Sequence, residues 1–122
     1  MARFVLLNSR WGDTIRSPSR EDLERAVHEI FHEDLPHLAE EDYAEHPNAE
    51  LVLGFDEGEG PCTTLDVFRG GLVFLTEAPE PDGAPTRQMR LDRLDEAHTL
   101  RLWSSLLAGR MAEVLQEPWK AI

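Results

Sequence analysis

The chain has 122 residues, 41% of them hydrophobic, and carries a formal net charge of −12. This length and apolar content suit one folded domain with a real core, so we expect a single domain over residues 1–122 and exclude a disordered acidic tail. The negative charge argues against nucleic acid and anionic membranes as partners, because both are bound through basic patches.

The predicted location is cytoplasmic. Cys62 is the one cysteine of the chain, so no disulfide can form within it, as is typical of proteins in a reducing compartment. The N-terminal apolar run Phe4–Leu7 is too short for a signal peptide, and no apolar run reaches the length of a transmembrane helix.

A first strand is predicted at residues 3–8 and is interrupted at Trp11–Asp13. A helix then follows from Pro18 to Glu33, with Ser17 as its N-cap and proline at the first helical position. One side of this helix is apolar and comprises Leu23, Ala26, Val27, Ile30 and Phe31.

The middle of the chain is predicted to be a short acidic piece followed by a strand. Residues 34–49 allow one further helical turn between two prolines. Residues 51–55 alternate as in a strand, and residues 56–61 form a turn.

A β-hairpin is predicted at residues 63–77, with its turn at either residues 69–70 or residues 70–71. We favour the first turn, which pairs Val67 with Leu72, because it gathers apolar side chains on one face of the hairpin. The opposite face then carries Thr64, Asp66, Phe68, Val73 and Leu75.

The C-terminal part is predicted to be a loop, a strand at residues 87–91 and a helix. Asp92 or Asp95 caps the helix, which bends or divides near Gly109 and ends before Pro118. Its inward residues are Leu100, Trp103, Leu106, Leu107, Met111, Val114 and Leu115. The predicted fold is therefore α+β, in two layers, with a mostly antiparallel sheet of four to five strands packed against two amphipathic helices.

The excess negative charge belongs to one part of the chain, residues 26–68, which we call the acidic segment. It contains twelve acidic residues and neither lysine nor arginine, whereas all twelve Lys and Arg lie outside it beside the other twelve acids. Such a segment attracts cationic surfaces and accelerates association with them. The alternative is an acidic surface that only keeps the protein in solution.

The sequence His28–His32 matches the H-E-x-x-H motif, in which two histidines bind zinc and the glutamate, here Glu29, acts as general base. Two features argue against a catalytic zinc. Both histidines lie away from the apolar side of the predicted helix, and Glu33 and Asp34 follow where zincins resemble one another in having uncharged, apolar residues. The alternative is a solvated helix face with exposed histidines.

Other chemistry is only weakly indicated. Asp56, Glu57 and Glu59 could bind a hard cation, but the spacing of a calcium-binding EF-hand is absent and an acidic turn is the commoner explanation. The nucleophile elbow, the Walker loop and the glycine motif for dinucleotides are also absent from the sequence. We therefore expect no enzymatic activity, no cofactor and no metal.

Residues 46–54 (HPNAELVLG) and 65–71 (LDVFRGG) form a familiar pattern, as do residues 102–110 (LWSSLLAGR) followed by Pro118-Trp119. Together they resemble small bacterial immunity proteins of the Imm1-like kind, which are encoded beside polymorphic toxins. The resemblance implies a cytoplasmic inhibitor that plugs the active site of a toxin. Toxins that act on nucleic acid have basic clefts, and an acidic inhibitor fits such a cleft by mimicking phosphate.

Charge and resemblance together predict an acidic module that binds and inhibits a basic protein, in particular a toxin domain. Carboxylates would pair with lysine and arginine of the partner, with Tyr43 as an aromatic anchor. The predicted partner-binding carboxylates are Glu40, Glu41, Asp42, Glu45, Asp56, Glu57 and Glu59.

Two alternatives stay open, and the chain is expected to be a monomer or a homodimer. The first is a compact zinc hydrolase that uses His28, His32 and Glu29. The second is a structural subunit or homodimer, whose interface would be the half-apolar sheet face that carries Phe68, Val73 and Leu75.

Overall fold

The computed structural model describes residues 3–32, 48–55, 60–80 and 84–122. In chain order these residues form β1 (Arg3–Asn8), β2 (Thr14–Arg16), α1 (Arg20–His32), β3 (Asn48–Phe55), β4 (Cys62–Phe68), β5 (Val73–Ala78), β6 (Arg87–Leu91), α2 (Glu96–Leu107), α3 (Met111–Leu115) and β7 (Lys120–Ala121). None of the helices in these ranges has the length and apolarity that crossing a lipid bilayer requires.

The strands form one antiparallel sheet in the order β2-β1-β3-β4-β5-β6-β7. Alternate side chains of the central strands are buried under α1 and α2, which pack against each other and against β3. The predicted two-layer α+β fold is confirmed. The sheet is wider than the four to five strands expected, because β2 and β7 are three and two residues long and are too short to alternate recognisably.

The core lies between the sheet and the helices. Leu51, Leu65 and Leu75 are in register on β3, β4 and β5, and all three are fully buried. Trp103 of α2 is also fully buried, and its indole N–H donates a hydrogen bond to the backbone oxygen of Leu65 at 3.3 Å. The predicted apolar side of α1 is confirmed as buried in Leu23, Ala26, Val27 and Ile30.

The β4–β5 hairpin has a register that differs from both predicted turns. Val67 pairs with Val73, and residues 69–71 form a three-residue loop closed by a hydrogen bond from the Phe68 N–H to the Leu72 oxygen at 2.8 Å. Register follows burial, as expected, but a loop of odd length satisfies burial better than either two-residue turn. It places four fully buried side chains on the face towards the helices, namely Leu65, Val67, Val73 and Leu75.

The prediction that Phe68, Val73 and Leu75 share one sheet face for self-association is wrong, because it assumed the same incorrect hairpin register. Val73 and Leu75 point into the core, whereas Phe68 is half-buried on the opposite face of the sheet. A shift of one residue in register exchanges the two faces of a strand, so these three side chains do not form one surface.

The helix α1 begins at Arg20, not at Pro18, so the prediction of Ser17 as its N-cap is wrong. The capping group is Ser19: its hydroxyl accepts a hydrogen bond from the Asp22 N–H at 3.2 Å, and its own N–H donates to the Asp22 carboxylate at 2.8 Å. This reciprocal arrangement satisfies two N–H groups at the start of the helix. Hydrogen bonds from Ser19 lower the pKa of Asp22 below its usual value.

At the C-terminal end, Asp95 rather than Asp92 caps α2, and its carboxylate accepts from the His98 N–H at 2.7 Å. The predicted division of the helix near Gly109 is confirmed, because α2 ends at Leu107 and α3 begins at Met111. The prediction that Leu115 points inward is wrong: Leu115 is exposed, and it is Val114 that is fully buried there. Leu102 is a further buried residue of α2 that the predicted face lacked.

Candidate functional site

The predicted partner-binding residues lie outside the described residues. This applies to Glu40, Glu41, Asp42, Tyr43, Glu45, Asp56, Glu57 and Glu59. The described parts of the acidic segment are residues 26–32 of α1, the whole of β3, and residues 60–68, which include β4.

The face of the sheet opposite the helices, which we call the distal face, contains two neighbouring carboxylates of the acidic segment. Glu50 of β3 and Asp66 of β4 are directly paired across the two central strands. Phe74 of β5 is the next residue in the same row, and its ring meets the ring of Phe68 edge to face at 5.4 Å. The two carboxyl groups are therefore half-buried beside aromatic rings.

Amide groups hold this carboxylate pair in place. The Asn8 side-chain amide donates to Glu50 Oε1 at 2.7 Å, and the Asn48 side-chain amide donates to Asp66 Oδ1 at 3.0 Å. The Thr14 hydroxyl in turn donates to Asn8 Oδ1 at 2.7 Å. The distal face thus presents a row of connected polar groups from β2 to β4.

Asp66 holds its proton to a higher pH than an ordinary aspartate does. Burial is the main cause that raises the pKa of Asp66 to about 7, and the adjacent Glu50 adds to it through a hydrogen bond and through charge repulsion. The Asn48 amide acts in the opposite direction because it stabilises the ionised form. At neutral pH Asp66 is therefore partly protonated and carries less than a full negative charge.

Replacing Asp66 with asparagine should raise the free energy of unfolding at pH 8 by about 2 kcal/mol, which is half the value implied by three pKa units because the group is partly solvated. The pKa of Asp66 is higher in the folded state than its usual 3.8. Proton uptake therefore stabilises the fold below about pH 4, and this stabilisation is lost as the pH rises to about 7. The ionisation of Asp22 affects stability in the opposite direction, because its pKa is lowered in the folded state. Its ionised carboxylate stabilises the fold above about pH 4, and this stabilisation is lost as the pH falls below that value.

Urea unfolding of the wild type and of Asp66→Asn, measured at intervals between pH 4 and pH 8, tests this prediction. The difference between the two proteins should widen across that range. Asp92→Asn is the matched control, because Asp92 is an exposed carboxylate outside the acidic segment. A difference that stays constant with pH would show that Asp66 ionises normally in the folded protein.

The two histidines of the H-E-x-x-H motif meet a carboxylate from the other long helix. The ring centroids of His28 and His32 are 4.8 Å apart on α1. Glu96, the first residue of α2, brings one carboxylate oxygen to 3.7 Å from His28 Nδ1 and the other into hydrogen-bonding contact with His32 Nε2. The prediction that both histidines are exposed is confirmed.

Glu29 does not belong to this group. It lines a shallow cleft on a different flank of α1, together with Trp11, Asp13 and Arg25. The carboxylate that accompanies the histidines is that of Glu96 instead, and no local pattern could have identified it, because it lies 64 residues beyond His32. Only the packing of α1 against α2 brings it there.

The packing and contacts of Trp119, Trp11 and Cys62 indicate structural roles for these residues. The Trp119 indole N–H donates to the Val114 oxygen at 2.8 Å, and its ring packs against the core. Trp11 is half-buried, with the Arg10 guanidinium 4.9 Å from its ring centroid. Burial raises the pKa of the Cys62 thiol, which disfavours the reactive thiolate.

Many of the basic residues are paired with acids from outside the acidic segment. These exposed pairs are Arg20–Glu24, Arg25–Asp22, Arg87–Glu77, Arg90–Asp92, Arg110–Glu113 and Lys120–Asp92. In these pairs six cations contact five acids, because Asp92 serves both Arg90 and Lys120, and all five acids lie outside the acidic segment.

Comparison with protein-family models, with curated proteins and with solved structures finds no match to this chain. The functional assignment therefore depends on the chemistry of its own residues.

Proposed function

We propose that this protein is an acidic binding module that inhibits a basic protein partner, in the manner of a cytoplasmic immunity protein that blocks the active-site cleft of a toxin. The observation that carries the proposal is the distribution of charge. The net charge of −12 belongs entirely to residues 26–68, where twelve acids are accompanied by no lysine or arginine.

The fold supports this proposal because the acidic segment supplies the centre of the sheet. β3 and β4 are the third and fourth of seven strands, so the segment is anchored in the domain and is not an appended tail. Six of the twelve cations outside the segment pair, among the described residues, with acids that also lie outside it. They are consequently poorly placed to cancel the negative charge of the segment.

The distal face adds a second feature suited to a cationic partner. Glu50 and Asp66 receive hydrogen bonds from asparagine amides, and those neutral donors leave negative charge on the pair. The rings of Phe68 and Phe74 lie beside them. Lysine and arginine side chains combine an apolar stem with a charged end, so a surface of this mixed character can accommodate both parts.

The proposed partner class follows from the same chemistry. An enzyme that acts on nucleic acid needs a basic cleft to bind phosphates, and carboxylates can occupy that cleft in their place. Such an inhibitor needs neither a catalytic group nor a cofactor. Its binding would be fast and sensitive to salt, because long-range charge attraction steers the encounter.

The test is affinity capture from a lysate of the native cell, with the bound proteins identified by mass spectrometry. We expect the wild type to retain a basic protein whose activity it inhibits, and we expect the variant Glu40→Lys, Glu41→Lys, Asp42→Lys to lose that protein. The matched control is Asp13→Lys, Glu21→Lys, Glu80→Lys, which makes the same change in net charge at exposed acids outside the segment.

Three results would count against the proposal. The first is equal retention by both variants, and the second is equal loss from both, which would indicate nonspecific charge attraction. The third is a captured protein that is acidic, or one whose activity the wild type leaves unchanged.

A further inference from the structure

We propose that His28, His32 and Glu96 form a binding site for a divalent transition metal, with Zn²⁺ as the best-suited ion, that links α1 to α2. The inference is independent of the proposed inhibitory function. It also differs from the zinc hydrolase suggested by the H-E-x-x-H motif, because the third ligand is Glu96 and the role is binding without hydrolysis.

The three side chains are chemically suited to zinc. Two imidazoles and one carboxylate are a ligand set that zinc accepts in proteins, with water completing the tetrahedron. Imidazole nitrogen also favours transition metals over Mg²⁺ and Ca²⁺, which prefer oxygen ligands. The set is therefore selective for zinc-like ions.

The three ligand atoms are also close enough to share one ion. The candidate ligand atoms of the three side chains all lie within 4.8 Å of one another. Donors around a tetrahedral zinc at its usual bond lengths are separated by about 3.4 Å. Side-chain rotations that move the ligand atoms by about 1 Å would therefore let all three coordinate one ion while both helix backbones stay in place.

The three side chains are accessible to solvent. The side chains of His28, His32 and Glu96 are 67%, 52% and 38% exposed, so an ion can reach them from solvent. His28 and His32 are four residues apart on one helix, and their rings already lie side by side. A bound ion would replace the direct contact between the histidines and Glu96 with metal bonds.

The position of Glu29 separates binding from hydrolysis. In a zinc hydrolase of this motif the glutamate acts on the metal-bound water. Here Glu29 lies along the cleft beside Trp11 and Asp13, outside the group formed by the two histidines and Glu96. The site therefore has ligands for the metal without the general base that the motif normally supplies.

The experiment is calorimetric titration of the purified full chain with Zn²⁺ alone. We expect saturable binding, and we expect His28→Ala, His32→Ala and Glu96→Gln each to weaken it at least about tenfold, since even groups behind the ligands change metal affinity by 10–100-fold. His98→Ala is the matched control: His98 contacts Glu117 at 2.7 Å in a second histidine–carboxylate pair that is not part of the three-ligand group.

A second readout follows the link between the helices. Saturating Zn²⁺ should raise the midpoint of thermal unfolding of the wild type and of His98→Ala, and a chelator should reverse the shift. The same ion should leave the midpoint of the double variant His28→Ala, His32→Ala unchanged. Circular dichroism without metal should show that all variants fold, because the substituted side chains are exposed or, at His98, partly exposed.

The proposal fails if the wild type does not bind Zn²⁺ at millimolar concentration. It also fails if the double variant binds as tightly as the wild type, which would place the ion elsewhere in the chain. An equal loss of affinity in His98→Ala would show that binding requires His98 as well, which contradicts a site formed by His28, His32 and Glu96.

Discussion

Replacement of Trp103 with alanine should lower the free energy of unfolding by about 3–5 kcal/mol, the largest loss expected from any single substitution considered for this protein. Trp103 has no exposed surface and lies in the core cluster with Leu51, Leu65 and Leu106. The substitution would remove most of a large side chain from packed surroundings. It would also leave the Leu65 oxygen without the hydrogen bond that the indole N–H donates.

Urea unfolding followed by circular dichroism measures this loss. Trp103→Phe separates the two contributions, because phenylalanine retains part of the packing and lacks the hydrogen-bond donor. We expect it to lose less stability than Trp103→Ala. If Trp103→Ala unfolds at the same urea concentration as the wild type, Trp103 cannot lie at the centre of the core.

Replacement of Gly71 with alanine should lower the free energy of unfolding by about 3 kcal/mol, and the same change at Gly70 by about 1–2 kcal/mol. Both glycines have positive φ values, +90° at Gly70 and +84° at Gly71, so an added Cβ introduces backbone strain at either position. Only at Gly71 would the new Cβ also meet backbone, at 2.0 Å from the Leu94 oxygen, whereas at Gly70 it would meet no atom within 4 Å.

The adjacent glycines therefore provide their own control. The difference between the two alanine variants in urea unfolding reports the close approach of the hairpin loop to Leu94, whose N–H donates to the Gly71 oxygen at 3.0 Å. Equal losses would mean that the loop lies farther from Leu94 than described.

Alternation and amphipathic spacing were sufficient to predict the longer elements. The strands at residues 3–8 and 87–91 are found where they were predicted, and the buried side of α1 matches its apolar spacing. Two-residue and three-residue strands escaped detection, because β2 and β7 depend on pairing with β1 and β6 and not on their own pattern.

Errors arose where two local patterns compete. Both Ser17 and Ser19 can begin a helix, and the reciprocal hydrogen bonds between Ser19 and Asp22 decide in favour of the second. Similarly, Gly70 and Gly71 allow several hairpin loops, and the close packing of Gly71 against Leu94 belongs to the three-residue loop. Such choices depend on contacts with distant residues.

The candidate sites depend still more on tertiary structure. The motif at His28 and His32 was visible in the sequence, but its carboxylate partner Glu96 comes from another helix. The pairing of Glu50 with Asp66 required the register between β3 and β4. The charge separation, by contrast, could be read directly from the sequence, because it depends only on the order of the residues.

The most direct test of the central claim is the salt dependence of binding between the purified chain and the basic protein that it captures. Calorimetry would compare the wild type with the two triple lysine variants at about 50 mM and about 500 mM salt, which spans strong and weak electrostatic attraction. The account predicts that salt weakens binding of the wild type and of the variant at residues 13, 21 and 80. The variant at residues 40–42 should bind at least about tenfold more weakly at low salt and respond little to salt. If its affinity and salt dependence equal those of the wild type, the acidic segment is not the binding surface.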